Sequence, residues 1–328
     1  MVETWQQLSV LVVGCGSIGR RHARVLRSLE VGDIRACDPV ESQRQVMLAE
    51  VPGVSLYAGY EAALADRPDT VLICTPPKLH VPMALQAIRA GCHVLCEKPL
   101  SDQPEGLEDL AAAADAAGRK VMVALCFRYH EGLVLAKQHL DTGRVGRLVS
   151  FRALMGEHLP EVRPDYRDLF SSHYLGAFDL SHEIDLAIWY SGAPIKEICA
   201  LSGTFSDIGI QAPDVVELLM EFENRCLASV HLDFFQCPRR RQTELLCTQG
   251  TIVVEFARWD RCTVSVYEAA TGAWEHTELI TDRDDMFRAE DKDFLRAIAE
   301  DLPIVNGIRE GTKSVEVVSR ARQMSSSE

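Results

Sequence analysis

The chain has 328 residues and a formal net charge of −14; 47% of its residues are hydrophobic and 25% are charged. This length is more typical of two domains than of one, and the composition is that of an ordinary globular protein. The negative charge disfavours nucleic acid or an anionic membrane as a partner. No apolar run is long enough to span a membrane, and the first residues lack the basic flank and apolar core of a secretion signal, so we expect a cytoplasmic protein.

The 11 cysteines are scattered along the chain, and only Cys92 and Cys96 are close together. No Cys-x-x-Cys pair occurs, and no group of cysteines and histidines has the spacing of a zinc site. Most of the cysteines lie in apolar strand-like runs, where cysteine behaves as a small hydrophobic residue. The sequence therefore predicts reduced thiols and no metal site.

The first predicted element is an apolar strand at 8–13, followed by a glycine-rich turn and a helix that opens with Ser17 and Ile18. Glycines at 14, 16 and 19 (Gly14, Gly16, Gly19) permit a tight turn and a close approach of the backbone to a phosphate, which the N-terminus of the helix attracts. A second strand ends at Asp38, about twenty residues after the last glycine, where a carboxylate binds the ribose hydroxyls of a dinucleotide. The pattern predicts a dinucleotide site; a glycine turn in some other α/β protein is the alternative. Asp38 favours NAD over NADP, and Arg44 is a counter-signal.

Four more strand signals follow at 54–57, 70–77, 93–99 and 120–127, with predicted helices at 81–90 and 104–117. This alternation predicts an α/β Rossmann domain, residues 1–126, with a doubly wound parallel sheet. Ligands of such sheets bind at the carboxyl ends of the strands. The cofactor candidates at two of these ends are Thr75, Pro76, Pro77, His80, Glu97 and Lys98. We expect Lys98 to face the cofactor.

After residue 127 the pattern changes to strand-like runs rich in β-branched and aromatic residues. They lie at 148–154, 195–203, 214–222, 226–235, 243–248, 251–257 and 262–269. Few helices separate them, so we predict an α+β C-terminal domain, residues 127–328, with a large, mostly antiparallel sheet that helps to bind substrate. One face of such a sheet is exposed unless a second subunit covers it, which predicts a homodimer or homotetramer.

A candidate general base lies between the first two of those strands. Asp179, His182 and Asp185 follow Gly176 at intervals of three residues, which predicts one helix face on which either carboxylate supports the imidazole. An amphipathic helix with a satisfied histidine is the alternative. A dehydrogenase needs a proton acceptor, and His182 is the best-formed candidate outside the first domain.

The sequence resembles the glucose–fructose oxidoreductase / inositol dehydrogenase / MocA (Gfo/Idh/MocA) family of NAD(P)-dependent sugar and polyol oxidoreductases over nearly its whole length. The segments that carry the resemblance are VVGCGSIGRRHARVL, CTPPKLHVPMALQAIRAGCHVLCEKPL, GRVGRL, DLSHEIDLAIW and EDKDFLRAIAED. The resemblance implies that Lys98 and His182 are catalytic, that Lys98–Pro99 is a cis peptide, and that the second sheet forms the oligomer. Many relatives have an acid four residues before the histidine, whereas Asp179 precedes His182 by three, so its catalytic role stays open. Leu79 replaces a polar residue that many relatives carry.

The chemistry implied by the resemblance is hydride transfer between a hydroxyl of a sugar, cyclitol or sugar derivative and nicotinamide. His182 would accept the hydroxyl proton, and Lys98 would hydrogen-bond the same oxygen. Burial and the cationic oxidised ring would favour the amine form of Lys98, whereas Glu97 would favour the ammonium form.

Candidate substrate residues lie in the segments expected to line the site: Arg128, Tyr129, Arg152, His158, Arg163, Tyr166 and Arg167. The four arginines between 147 and 167 suit a phosphate, a carboxylate or a nucleotide-sugar diphosphate, or are simply solvated charges. Two other functions stay open: transient use of NAD in a net hydrolysis or epimerisation, and NAD binding by a regulator without turnover.

Overall fold

The computed structural model describes residues 3–163, 165–167 and 175–325. The chain divides into two compact units, one made of Met1–Cys126 and Asp284–Val315, the other of Phe127–Arg283 and Glu316–Glu328. The break after Cys126 coincides with the predicted one. The predicted second domain, 127–328, includes Asp284–Val315, and the return of this segment to the first unit was not predicted. It depends on contacts distant in sequence, such as the 2.7 Å hydrogen bond from the Val123 N–H to the Asn306 carbonyl, which leave no local signal.

The first unit contains a six-stranded parallel sheet in the order β3-β2-β1-β4-β5-β6. Its strands are β1 (Ser9–Val13), β2 (Asp33–Cys37), β3 (Ser55–Tyr57), β4 (Thr70–Ile73), β5 (His93–Glu97) and β6 (Val121–Ala124). The helices between them are α1 (Ser17–Ser28), α2 (Glu41–Glu50), α3 (Tyr60–Ala65), α4 (His80–Arg89) and α5 (Leu107–Ala117). The predicted doubly wound parallel sheet is confirmed. Its strand order reverses between β1 and β4, which opens a crevice at their carboxyl ends.

The inner strands of this sheet are apolar on both faces. Every residue of β1 and of β4 is buried, because the helices of a doubly wound sheet cover both sides. Leu11, Ile73 and Val94 are fully buried in the resulting core, where each large aliphatic side chain stabilises the fold by about 1.5–3 kcal/mol. The sheet therefore offers a rigid base for the loops at its carboxyl edge.

The second unit contains an eight-stranded sheet in the order β14-β13-β12-β11-β7-β10-β9-β8, in which only β7 and β10 pair in parallel. Its strands are β7 (Leu148–Gly156), β8 (Ile195–Gly203), β9 (Val215–Phe222), β10 (Leu227–Asp233), β11 (Arg240–Cys247), β12 (Gly250–Glu255), β13 (Arg261–Glu268) and β14 (Ala273–Ile280). Helices α6 (Glu131–Asp141), α7 (Leu159–Val162) and α8 (His182–Ser191) belong to the same unit. The predicted large, mostly antiparallel sheet is confirmed.

One strand of this sheet had no sequence signal. β14 is an edge strand that pairs only with β13, and most of its residues are exposed. Polar residues occupy both of its faces, so the apolar alternation that marks a half-buried strand is missing.

The last helices are α9 (Arg283–Ala299) and α10 (Ile308–Ser325). Among the described residues, none of the helices is both long and apolar enough to cross a membrane.

Candidate functional site

The turn after β1 has the shape of a phosphate cradle. Gly14 has a φ of +97°, and a Cβ at this position would lie 2.6 Å from the Cys74 carbonyl oxygen. A Cβ at Gly19 would lie 1.8 Å from the carbonyl oxygen of Gly14, whereas a Cβ at Gly16 would meet nothing within 4 Å. Packing therefore requires the first and third glycines, and the second leaves the exposed backbone open to a ligand, as a pyrophosphate needs.

Helix α1 adds its positive end to this cradle. Gly16 is the N-cap, and the first turn contains no acidic residue that would offset the partial charge of the free N–H groups. Ser17 is exposed and Ile18 is half-buried, so the start of the helix faces solvent. A helix start of this kind binds anions.

Asp38 follows β2 and is attached to the glycine turn. Its Oδ2 accepts the Cys15 N–H at 2.8 Å, and its Oδ1 accepts the Val40 N–H at 2.8 Å. Each carboxylate oxygen keeps a further lone pair for a ribose hydroxyl. Arg44 donates to the backbone carbonyl of Asp38 at 2.6 Å, so the residue that signalled NADP lies beside the same strand end. The glycine turn and Asp38 thus fit a dinucleotide.

His80 connects the carboxyl ends of β4 and β5. Its Nε2 lies 2.7 Å from the Thr75 carbonyl and its Nδ1 lies 2.8 Å from the Pro99 carbonyl. His80 is 1% exposed, so its ring binds the two turns from the interior of the protein. Only a doubly protonated ring donates to both carbonyls. Burial acts in the opposite direction and lowers the pKa of His80.

The turn after β5 presents Lys98. The Lys98–Pro99 peptide is cis, as the family resemblance implies. The backbone N–H of Lys98 donates to the Glu97 Oε2 at 3.0 Å, and the Glu97 Oε1 lies 3.1 Å from the Nε2 of His22. The other ring nitrogen of His22, Nδ1, lies 2.8 Å from an oxygen of Asp291. The sequence analysis assigned no role to His22 or Asp291, because the two residues are 269 positions apart. The feature that could have drawn attention to His22 was its position on the buried face of α1.

His182 is the first residue of α8, in the second unit. Its ring stacks on Phe127 with a centroid distance of 4.2 Å and an angle of 13°. The guanidinium of Arg241 lies 4.3 Å from the centroid of the same phenyl ring and pairs with Glu183, with a shortest hydrogen bond of 2.6 Å. Burial and this ion pair fix the position of the Phe127 ring on which the His182 imidazole stacks.

The prediction that one helix carries Asp179, His182 and Asp185 is wrong. Asp179 ends a short 3₁₀ helix, Gly176–Asp179. Leu180 has a ψ of 36°, which interrupts the helical backbone conformation before α8 begins. Asp185 does lie on α8, where its carboxylate binds the Arg128 guanidinium at 2.7 and 3.0 Å. Both side chains of this pair are buried, so the charge of Arg128, a substrate candidate, is already matched.

The other substrate candidates of the second unit have varied surroundings. The Tyr166 hydroxyl donates to the Ile208 carbonyl at 2.7 Å and accepts from the Arg167 Nε at 3.0 Å. Arg152 is 59% exposed and pairs with Glu244 across β7 and β11. His158 is the N-cap of α7, Arg163 is exposed, and Tyr129 is half-buried. Pro164 and residues 168–174, which lie among these candidates, are outside the described residues.

Comparison with known proteins gives matches in both units. Residues 8–125 match the model described as an oxidoreductase family with an NAD-binding Rossmann fold, and residues 133–253 match the GFO/IDH/MocA C-terminal domain. An inositol 2-dehydrogenase of Rubrobacter xylanophilus is 30% identical over 59% of this chain and 55% of its own length. A levoglucosan dehydrogenase of Pseudarthrobacter phenanthrenivorans is 26% identical over 79% of this chain and 76% of its own length.

An oxidoreductase domain protein from Kribbella flavida has the same fold, with a TM-score of 0.87 at 20% identity, covering 98% of this chain and 97% of that one. The chain spans about half to two thirds of the length of the first inositol 2-dehydrogenases that it matches, namely 55%, 66% and 57%. The first of these models covers the glycine cradle and the strands of the Rossmann sheet, and the second covers β7 to β11 of the second sheet. The chain therefore belongs to the Gfo/Idh/MocA family of oxidoreductases, which has an NAD-binding Rossmann fold.

Proposed function

We propose that the protein is an NAD-dependent oxidoreductase that moves a hydride between nicotinamide and a hydroxyl of a sugar, a cyclitol or a sugar derivative. The observation that carries the proposal is the position of Lys98 at the carboxyl end of β5, in the same parallel sheet whose β1 ends in the glycine cradle. The relatives named inositol 2-dehydrogenase and levoglucosan dehydrogenase support a polyhydroxylated ring as substrate.

NAD is the proposed cofactor, and its nicotinamide would supply the hydride acceptor. Gly14, Gly16 and Gly19 would hold the pyrophosphate, and Asp38 would accept hydrogen bonds from the ribose hydroxyls. The carboxylate would repel a 2′-phosphate, which favours NAD over NADP.

Lys98 and His182 are the proposed acid–base residues. Lys98 would donate a hydrogen bond to the reacting hydroxyl oxygen and stabilise its developing negative charge. His182 would accept the hydroxyl proton as a general base. The backbone around Lys98 is held by Glu97 on one side and by His80 through Pro99 on the other, an arrangement that reduces the reorganisation needed in the transition state. Asp179 is kept as a candidate substrate contact.

We also propose a homodimer or homotetramer through the exposed face of the second sheet. Leu201, Leu219 and Leu227, on β8, β9 and β10, are 68%, 47% and 50% exposed. Covering apolar side chains of this kind favours association between copies of the chain. Light scattering at several protein concentrations measures this, and a monomer throughout would refute it.

The function is tested by NADH absorbance when the purified protein meets NAD and one of several substrates. The panel contains myo-inositol, free sugars, levoglucosan, sugar phosphates and nucleotide sugars. We expect one class to give NADH, and Lys98→Ala to lose turnover by roughly 10²–10⁴-fold while NAD binding is retained. Lys313→Ala, at an exposed lysine of α10, is the matched control and should be as active as the wild type.

Two results would contradict the proposal. Turnover retained by Lys98→Ala would refute the role of the lysine. The second is that no substrate gives NADH while solvent deuterium enters a substrate in the presence of bound NAD. This result would favour transient use of the cofactor over net oxidation.

A further inference from the structure

In the second unit, one phenyl ring lies between the imidazole of His182 and a guanidinium. His182 stacks on Phe127 with a centroid distance of 4.2 Å and an angle of 13°, and the guanidinium carbon of Arg241 lies 4.3 Å from the same centroid. Two planar groups this close to one centroid would overlap if they shared a face of the ring, because carbon atoms in van der Waals contact are about 3.5–4.0 Å apart. The imidazole and the guanidinium therefore lie on opposite faces of Phe127.

Arg241 also binds the residue that follows the histidine. Its Nε and Nη2 donate to the two carboxylate oxygens of Glu183 at 2.6 and 3.2 Å, and both side chains of this pair are buried. A bidentate pair of this kind fixes the plane of the guanidinium. Arg241, on β11, therefore connects the second sheet both to the ring beneath His182 and to the start of α8.

A separate ion pair connects the backbone segments of Phe127 and α8. Arg128, the residue after Phe127, donates from Nη2 and Nε to the carboxylate of Asp185 on α8 at 2.7 and 3.0 Å, and both side chains are buried. The two segments are thus held together without Arg241. Removal of the Arg241 guanidinium should therefore loosen side chains more than it displaces the backbone.

The orientation of the His182 imidazole depends on side-chain packing. Inside a helix, the preceding turn makes one of the three staggered χ1 rotamers rare. His182 is the first residue of α8, and Leu180 before it is not helical, so this restriction is missing. The ring is half-buried, which leaves part of it accessible to a substrate.

We propose that Arg241 is a positioning residue for the reaction, which fixes the Phe127 ring and the Glu183 carboxylate and thereby the orientation of the His182 imidazole. A general base is effective only while its nitrogen is within hydrogen-bond reach of the proton that it accepts. A misplacement of about 1 Å costs about 10²-fold in rate. Arg241 would act through its neighbours, without touching the substrate. This inference rests on the proposed role of His182 as general base.

The first test measures the position of the imidazole without cofactor or substrate. In protein that contains ¹³C-labelled histidine, NMR shows the ring C–H resonances, and those that disappear in His182→Gln belong to His182. Protons above the face of a phenyl ring resonate upfield of their position in the unfolded protein, and we expect this displacement in the wild type. Spectra are recorded about two pH units above the ordinary histidine pKa of about 6.5, where an imidazole of ordinary pKa is neutral.

In Arg241→Met the His182 resonances should shift towards their position in the unfolded protein. Methionine keeps most of the apolar stem of the arginine but removes the guanidinium, so the phenyl and imidazole rings lose their fixed relative orientation. The matched control is Arg144→Met, which breaks another arginine–glutamate pair of the second unit, Arg144 with Glu268 at 2.6 Å. It should leave the resonances of His182 in place.

A double variant keeps the test valid if Arg241→Met does not fold. Arg241→Met alone leaves the carboxylate of Glu183 buried without its guanidinium, which is strongly destabilising. Arg241→Met combined with Glu183→Met removes both charges, and the exchange of a buried ion pair for apolar side chains of similar volume is often neutral. The double variant should fold and show the same shift of the His182 resonances.

The second test is turnover with a substrate that gives NADH with the wild type. In the double variant kcat should fall by roughly tenfold to 10²-fold, and KM should change less than kcat because the general base acts in the transition state. Its NAD affinity should equal that of the wild type, because the glycine cradle belongs to the first unit and Arg241 to the second.

Three results would overturn the inference. They are wild-type His182 resonances in a folded variant that lacks the guanidinium, wild-type kcat in such a variant, and an equal shift of the resonances in Arg144→Met. Failure of the proposed function is a different result, in which the wild-type protein itself gives no NADH with any substrate.

Discussion

The glycine cradle allows a prediction in which two similar substitutions have different effects. In Gly19→Ala the new Cβ would lie 1.8 Å from the Gly14 carbonyl oxygen, whereas real Cβ contacts essentially never fall below 3.0 Å. The turn or α1 must therefore move by at least the difference between these two distances. In Gly16→Ala the new methyl group meets nothing within 4 Å, and the φ of −67° suits alanine.

The magnitudes follow from opposing contributions. Alanine at position 19 gains about 1 kcal/mol of helix propensity relative to glycine, and a forced steric overlap in a packed site costs about 1–3 kcal/mol or more. Since the overlap here is with backbone, which cannot rotate away, we expect the upper end of that range and a net loss of about 2 kcal/mol in the free energy of unfolding. For a unit of this size the melting temperature should fall by roughly 4–8 °C.

Gly16→Ala should behave in the opposite way. The loss of stability should stay below about 1 kcal/mol, as for exchanges of glycine and alanine at an N-cap. Its methyl group, however, projects into the space through which a pyrophosphate would approach the backbone, so NAD should bind at least about tenfold more weakly, or about 1.4 kcal/mol. Thermal unfolding without ligand and calorimetric titration with NAD measure the two effects separately. Wild-type NAD affinity in Gly16→Ala, or wild-type stability in Gly19→Ala, would refute this interpretation of the turn.

Three further substitutions test individual side chains. Asp38→Ala should lower the affinity of the protein for NAD and reduce its preference for NAD over NADP, as measured by titration with each cofactor. An unchanged preference would show that another residue determines it. His231, between Glu217 and Asp233, has its pKa raised from 6.5 to about 9. Its stabilising contribution is thus complete below pH 6.5 and is lost as the pH rises through 9. Urea unfolding of His231→Gln should therefore show a deficit relative to wild type at the lower pH only, and an equal deficit at both would contradict the ion pairs. Burial raises the pKa of Glu290 above 4.5, so the native state keeps a proton that the unfolded chain releases, and native stability falls as the pH rises above 4.5. Glu290→Gln should be more stable than wild type at neutral pH, with the gap closing on acidification to 4.5, and a variant that is less stable at neutral pH would contradict a neutral carboxyl.

Local patterns were enough to predict the first sheet and its cradle. Strands β1, β2 and β5 are short runs that end at or just before Gly14, Asp38 and Glu97, residues that mark the carboxyl edge of the sheet. Gly14 shows why the prediction works: a single position combines a positive φ with a close backbone contact, and only glycine satisfies both. The charged ending at Glu97 likewise predicts that Lys98 follows a strand, and β5 does end at Glu97.

What the sequence did not predict depends on distant partners or on weak local patterns. The Arg128–Asp185 and Arg241–Glu183 pairs join residues 57 and 58 positions apart. From the sequence alone, neither arginine could therefore be distinguished from a solvated or substrate-binding one. The break at Leu180 is similar, because a spacing of three residues fits a continuous helix as well as a 3₁₀ turn followed by a new one.

The arrangement around Lys98 shows how the folded protein holds a turn at the edge of a sheet in place. Two buried imidazoles form hydrogen bonds to the turn from the interior of the protein. His80 binds the Pro99 carbonyl, and His22 binds the Glu97 carboxylate that accepts the Lys98 N–H. The backbone on both sides of the lysine is therefore fixed by groups of the folded protein rather than by a ligand, while the side chain itself is half-buried. Since a positioned donor is effective only if its support is rigid, the buried polar groups under β5 would serve the proposed role of Lys98 although they are remote from solvent. A carboxylate and an imidazole in an apolar core would otherwise destabilise the fold, and their mutual hydrogen bonds are what makes the burial tolerable.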